Sequence, residues 1–200
     1  MNNIHLMQKA KRQRNPDAKR QAIHESAIAL FSAKGFEQVT IAEIAKAANI
    51  AVGTIYRFYP NKSAILIAIS EILEQQFIAV MREAWSGDVP YSERFNQMAS
   101  ALFAIISDKR EEIVLLSLVQ GHIIENGTIP GAAIRKEIAA LHQDGVNHGG
   151  FTPHDSDHFA AIAHGMVEGA MRQWLQNPTR ENHHALEAML AEFLRHSAGV

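Results

Sequence analysis

The segment Thr40-Ile-Ala-Glu-Ile-Ala-Lys-Ala-Ala-Asn-Ile-Ala-Val-Gly-Thr-Ile-Tyr-Arg-Phe-Tyr-Pro-Asn-Lys62 leaves little choice of local structure. Thr40 and Glu43 have the spacing of a capping box, in which a hydroxyl and a carboxylate satisfy the unpaired amides of a helix start. Ile41, Ile44, Ala45 and Ala48 follow at i, i+3, i+4 and i+7, one apolar stripe on a short helix. Asn49 tolerates the left-handed conformation that ends a helix, and Ile50 can fold back onto the core. A second short helix is expected from about Ala51 to Tyr59, with Ile55 as its core contact and Pro60 opposing continuation. Asn61 is placed to cap a further helix beginning near Lys62. Upstream, Ile23, Ala27, Leu30 and Phe31 make the apolar face of a helix closed by Gly35 and Phe36. The sum is a three-helix unit with a helix-turn-helix inside it.

The second motif helix offers small, hydroxylated and aromatic side chains plus an arginine, residue types that suit a helix laid in the major groove of DNA. Residues 20–66 resemble the N-terminal domain of the tetracycline-repressor (TetR) family. Its signature is a helix ending in Gly-Phe/Tyr, then Thr-x-x-x-Ile-Ala-x-x-Ala, then Gly-Thr-Ile/Leu-Tyr-x-x-Phe/Tyr-x-x-Lys. This chain carries Gly35-Phe36, Thr40, Ile44-Ala45, Ala48, Gly53-Thr54-Ile55-Tyr56, Tyr59 and Lys62 in that register. Asn49 departs from the usual glycine, and Ala42 lies near a position where some relatives carry a base-reading arginine. The resemblance implies that Thr40 binds a phosphate through its hydroxyl and amide. It also implies that Val52, Gly53, Thr54 and Arg57 face the groove floor, with Arg57 making a bidentate contact to guanine. Tyr56 and Phe58 or Tyr59 would lie against the sugar-phosphate wall, and Lys62 would clamp a phosphate. Ile55 and one of the aromatics Phe58 and Tyr59 are expected in the core.

Charge supports the same division of labour. Residues 1–62 hold ten Lys/Arg against four Asp/Glu, whereas the remainder holds nine against seventeen. A basic head and an acidic body fit one domain that meets phosphate and another that avoids it. Lys9, Lys11, Arg12, Arg14, Lys19 and Arg20 read either as an arm that follows the DNA backbone or as a solvated tail. The chain is therefore expected to divide into a flexible basic tail (1–15), a helix-turn-helix domain (16–62) and a helical ligand-binding and dimerisation domain (63–200).

The absence of cysteine excludes disulfides and thiolate zinc sites. The first residues lack the apolar run of a signal peptide. Ile113 to Val119, taken as the longest strongly apolar segment, is too short to span a bilayer. These features give a soluble, cytoplasmic expectation with no membrane partner.

Beyond Lys62 the pattern is all-α, with about nine helices in the whole chain. Gly87-Asp88-Val89-Pro90 ends a long fourth helix, and Phe95, Met98, Leu102, Phe103 and Ile106 mark a fifth. A sixth is expected over Lys109 to Glu125, and a seventh between Pro130-Gly131 and Gly145. Thr152-Pro153-His154-Asp155 reads as a cap and first-turn proline opening an eighth that reaches Gln176. Asn177-Pro178 separates it from a ninth running to about His196. Ala161, Gly165 and Gly169 form a strip of small residues, and Leu186, Met189, Leu190, Phe193 and Leu194 an apolar face. Paired across a two-fold axis, these last two helices would make a four-helix bundle and a homodimer.

Family members usually hold an effector in this larger domain. The expected lining is Gln120, His122, Glu125, His164 and Glu168, with walls from Phe95, Met98, Phe103, Met166, Met171 and Trp174. The effector would be a small, largely apolar molecule. Eleven histidines invite a metal reading. However, His154, Asp157 and His158, or His164 with Glu168, give no closed set of three ligands, and the adjacent His183 and His184 are expected to point apart. No glycine-rich phosphate loop, nucleophile elbow or other cofactor or catalytic motif is present, which argues against an enzyme. The sequence thus points to a dimeric regulator, most simply a repressor released from a palindromic double-stranded DNA operator by a small molecule. A DNA-binding adaptor without an effector and a metal-binding helical protein are the alternatives.

Overall fold

A computed structural model describes residues 15–200 except Asn126 and Thr128, with the backbone alone of His122. The described residues form ten helices and no strand: α1 (Pro16–Lys34), α2 (Ile41–Ala47), α3 (Val52–Tyr56), α4 (Lys62–Trp85), α5 (Tyr91–Asp108), α6 (Arg110–Leu118), α7 (Gln120–Glu125), α8 (Ala132–Asn147), α9 (Ser156–Gln176) and α10 (Arg180–Ala198). The extra helix arises because the expected sixth breaks at Val119. Ser117 Oγ donates to the Val114 carbonyl at 2.7 Å, a back-bond that weakens a helix locally. The β-branched Val119 and then Gly121 add two poor helix formers.

The chain divides into two compact units, one comprising Met1–Glu71 with Glu111–Thr128, the other Ile72–Arg110 with Ile129–Val200. This differs from a boundary at residue 62. Ile65, Leu66 and Ile69 from the first turns of α4 share a core with Ile23, Phe31, Ile44 and Ile55, and Leu115, Val119 and Ile123 complete it. A three-helix head has too little apolar surface of its own, so a later segment joins its core.

Asn15 belongs to the structured part of the chain, because its side chain accepts from the Asp17 amide at 3.0 Å and caps α1. Lys19 and Arg20 lie on α1 rather than in an arm. Lys9, Lys11, Arg12 and Arg14 lie outside the described residues.

By length and composition α4 could cross a membrane, so Ile113 to Val119 is not the most apolar stretch. Its apolar side chains have another use. Ile65, Leu66 and Ile69 are buried in the first unit, and Phe77, Ile78, Met81 and Trp85 in the second.

In the second unit α5 packs on α10, α8 on α9, and α9 on α10. Phe95, Met98, Leu102, Phe103 and Ile106 are buried along α5, as their spacing predicts. Trp85, Tyr91, Phe95 and Phe151 form an aromatic cluster with ring centroids 5.0–5.9 Å apart. Gly145 on α8 lets the Phe151 ring lie directly against the backbone, where any Cβ would overlap it. Helix α9 starts later than Thr152-Pro153 suggests. Asp155 is its cap, accepting from the His158 amide at 2.8 Å, while the Thr152 amide bonds the Ala198 carbonyl at 2.9 Å.

Candidate nucleic-acid interface and internal cavity

The helix-turn-helix is built as its spacing dictates. Thr40 and Glu43 form both halves of the capping box. Asn49 takes φ 54°, and the Ile50 amide returns to the Ala45 carbonyl at 3.0 Å, closing α2 in a tight turn. Ala51 begins α3, which is only five residues long. The expected continuation to Tyr59 is a turn, in which the Phe58 and Tyr59 amides both bond the Ile55 carbonyl at 2.8 Å. Asn61 caps α4 through the Ala64 amide at 2.8 Å.

This geometry sorts the anticipated contacts. Ile55 is fully buried and pins α3 to the core, while Val52, Gly53, Tyr56 and Arg57 are exposed and Thr54 is half-buried. Of the two aromatics, Tyr59 is the core residue: it is buried, with its hydroxyl 2.6 Å from His24 Nε2. It cannot lie against a DNA backbone without leaving that bond. Phe58 is half-buried, with the Arg20 guanidinium over its ring at 4.9 Å.

Two of the residues expected to meet phosphate are already engaged within the protein. The Thr40 amide and hydroxyl both donate to Glu43 Oε2 at 2.9 Å, and the hydroxyl accepts from the Glu43 amide at 3.2 Å. Hydrogen bonds from Lys34 and then Thr40 hold the Glu43 carboxyl down to about 2. Thr40 therefore meets a phosphate only by sharing or displacing that carboxylate. Lys62 donates to the Phe36 and Glu37 carbonyls at 2.8 and 3.0 Å, with its ammonium 4.5 Å from the Phe36 ring centre. It closes the loop after α1 and also pairs with the Glu37 carboxylate at 3.5 Å, so a phosphate would have to share its ammonium with that group.

The second unit contains a cavity of about 50 Å³, with Met81, Trp85, Phe95, Met98, His142 and Phe159 in its wall. Of the expected lining residues, only Phe95 and Met98 are there. Phe103 and Trp174 instead pack on His183, with ring centroids 5.2 and 6.1 Å away. Gln120 and Glu125 are exposed on α7, in the first unit, and the His122 side chain is outside the description. His164 is buried near Glu74, Arg135 and Glu168, apart from the cavity wall. Met166, Glu168 and Met171 are half-buried on α9.

His142 was not anticipated. Its signal was a histidine inside the apolar stripe Ile134, Ile138, Leu141 and Gly145 of α8, a place where a polar ring must be buried.

On α9 and α10, Ala161, Gly165, Gly169, Met189 and Phe193 are exposed and Leu186 is half-buried, but Leu190 is not part of that surface. Leu190 and Leu194 turn inward and are only 3% and 5% exposed. No group of three or more His, Asp or Glu side chains that could hold a metal occurs among the described residues. His183 and His184 do not diverge as their adjacency suggests: both approach Glu187 Oε2, at 3.5 and 3.8 Å.

A capped helix, a left-handed turn and a short exposed helix held by one buried isoleucine define a helix-turn-helix DNA-binding protein. Residues 23–69 match the family described as bacterial regulatory proteins, tetR family. Over those residues the chain carries the helix-turn-helix domain of that family, and the curated relatives it matches are transcription regulators rather than enzymes. It is 26% identical over 150 residues to the uncharacterized HTH-type transcriptional regulator YhgD of Bacillus subtilis, covering 70% of this chain and 75% of YhgD. It is 34% identical over 85 residues to the HTH-type transcriptional repressor KstR of Mycolicibacterium smegmatis, covering 42% and 41% of the two chains. The match thus spans less than half of KstR. The transcriptional regulator FadR from Bacillus subtilis, solved in complex with stearoyl-CoA, shares the fold with a TM-score of 0.70 at 21% identity, covering 90% of this chain and 98% of FadR.

Proposed function

We propose that this protein is a homodimeric repressor, acting in the cytoplasm, that a small and largely apolar effector releases from a palindromic operator. The observation that carries the reading is the division of α3 and its C-cap Arg57, with Ile55 buried and Val52, Gly53, Tyr56 and Arg57 turned outward. Two such helices reach successive major grooves only when a two-fold partner sets them about 34–36 Å apart. The exposed small and apolar residues of α9 and α10, Ile162, Met189 and Phe193 among them, supply a self-complementary face for that partner.

Effector control is supported by the path of α4. The same helix places Ile65, Leu66 and Ile69 in the core beneath the reading head, and Met81 and Trp85 in the cavity wall. A molecule that enlarges the cavity would move the end of α4. That shifts the population towards heads spaced wrongly for the operator, provided the effector binds this second state more tightly. The complex of FadR with stearoyl-CoA supports an apolar effector.

The adaptor reading retains one observation in its favour, because about 50 Å³ is well below the roughly 300–1,000 Å³ of ordinary ligand sites. Footprinting of the purified protein on the DNA upstream of its own gene, with and without a panel of apolar compounds, separates the two. Protection lost with one compound supports release. Protection that no compound alters supports the adaptor, and no protected site at all removes both.

A further inference from the structure

The cavity in the second unit has one unpartnered polar atom on a residue of its largely apolar wall. His142 is 1% exposed, stacks on Phe159 with ring centroids 4.1 Å apart, and has no hydrogen-bond partner at Nε2. A buried ring nitrogen without a partner costs free energy, so its retention against a cavity calls for an occupant. Water is a poor one. It needs two to four polar partners, and besides His142 the wall's polar group is the Trp85 N–H, already directed to Asp144 Oδ2 at 3.4 Å.

The hydrogen-bond chain on the other side of the ring fixes what that nitrogen can do. Gln143 Nε2 donates to Asn147 Oδ1 at 3.0 Å, which turns Gln143 Oε1 towards Ser156. The Ser156 hydroxyl donates to Gln143 Oε1 at 3.2 Å. With its hydrogen so used, Ser156 Oγ is left to accept from His142 Nδ1, 2.9 Å away, and this is the arrangement that satisfies both neighbours of the hydroxyl. In that arrangement the proton of the neutral ring sits on Nδ1, and Nε2 presents a lone pair. Burial, and secondarily the nearby His154, hold the imidazole below its ordinary value of 6.5, which favours the neutral ring.

We propose that His142 is the polar anchor of a ligand subsite, and that it selects an apolar molecule bearing a hydroxyl or N–H donor over one bearing only an acceptor. The inference deepens the effector reading and rests on it only for the identity of the site. Entry requires the cavity to grow, and the unbranched Met81 and Met98 in its wall are the side chains best able to yield. A carboxylate is rejected because it would set a negative charge against a lone pair. A ketone or ether is rejected because neither atom has a proton to share.

The matched pair 4-butylphenol and 4-butylanisole tests this, since the apolar body is kept and only the donor is removed. Calorimetry with the full-length protein should show the phenol binding about tenfold tighter than the ether. His142→Phe keeps the stacking on Phe159 and should bring the two affinities together. Ser156→Ala releases the tautomer, allows a proton on Nε2, and should narrow the preference even if the His142 variant fails to fold. Equal affinity of the parent for both compounds, or no binding of either at millimolar concentration, overturns the proposal. So does a preference that survives Ser156→Ala and a folded His142→Phe. A phenol preference that responds to both variants, without any effect on DNA affinity, upholds the anchor and refutes effector release.

Discussion

The His24 imidazole and the Tyr59 hydroxyl meet at 2.6 Å between two buried side chains, joining α1 to the turn that follows the reading helix. The rings are 5.6 Å apart, centre to centre. This pair fixes the end of α3 from below, as Ile55 fixes its middle. Tyr59→Phe leaves a histidine nitrogen buried without its partner and should destabilise the protein by about 1–3 kcal/mol. Denaturant unfolding measures the loss. A change under a few tenths of a kcal/mol would mean that packing alone holds the turn.

Acidification should destabilise the fold in a defined window. His24, His142 and His164 are all held below 6.5, chiefly by burial, although Glu168 and Glu74 oppose the shift at His164. The unfolded chain therefore takes up these protons at a higher pH than the folded one. Their contribution is complete above about pH 6.5 and is lost as the pH falls towards the folded values. Melting temperature should be nearly level from pH 8 to 7 and decline below 6.5. Glu43 acts in a lower window, because its support is present above its ordinary 4.5 and is lost as the pH falls through about 2. A melting temperature that rises between pH 6.5 and 5 contradicts the assignment of neutral buried rings.

Arg57→Ala should weaken operator binding by about 1–3 kcal/mol and relax the preference at one base pair, as loss of a bidentate base contact does. Tyr56→Ala should weaken specific and unrelated DNA more evenly, because a sugar-phosphate contact positions the protein without reading sequence. Fluorescence anisotropy on operator and scrambled duplexes distinguishes them. Both side chains are exposed, so neither change should alter unfolding. Undiminished operator affinity in both variants removes α3 as the reading element.

On α10 two neighbouring types of apolar residue should behave oppositely. Phe193 is 56% exposed, and Phe193→Asp should yield folded monomers in sedimentation, with palindrome binding lost. Leu190 is 3% exposed, and Leu190→Ala should cost about 2–5 kcal/mol of stability while leaving assembly intact at temperatures where the chain is folded. Dimers that persist in Phe193→Asp at micromolar concentration would place the two-fold contact elsewhere.

Local chemistry made the reading head legible. Thr40 with Glu43, Asn49, Ile50 and Asn61 each act within six residues of their own position, through caps and turns that the chain encodes by itself. The apolar period of α5 was equally readable. The sequence was less informative wherever two segments compete for one surface. Spacing put Phe58 and Tyr59 on equal terms, and only the arrival of His24 made Tyr59 the buried one. Leu190 and Phe193 share one apolar stripe, and the position of α5 against α10 decides which turns inward.

The sequence by itself therefore determined helix type, the capped turn and the outward set on α3, because helical periodicity and capping depend on neighbours along the chain. Tertiary structure alone decided that Leu115, Val119 and Ile123 complete the first core, that Lys62 is bound by the Phe36 and Glu37 carbonyls, and that His142 lines a cavity. Those outcomes depend on which distant surfaces meet, and burial is a property of the meeting rather than of either segment.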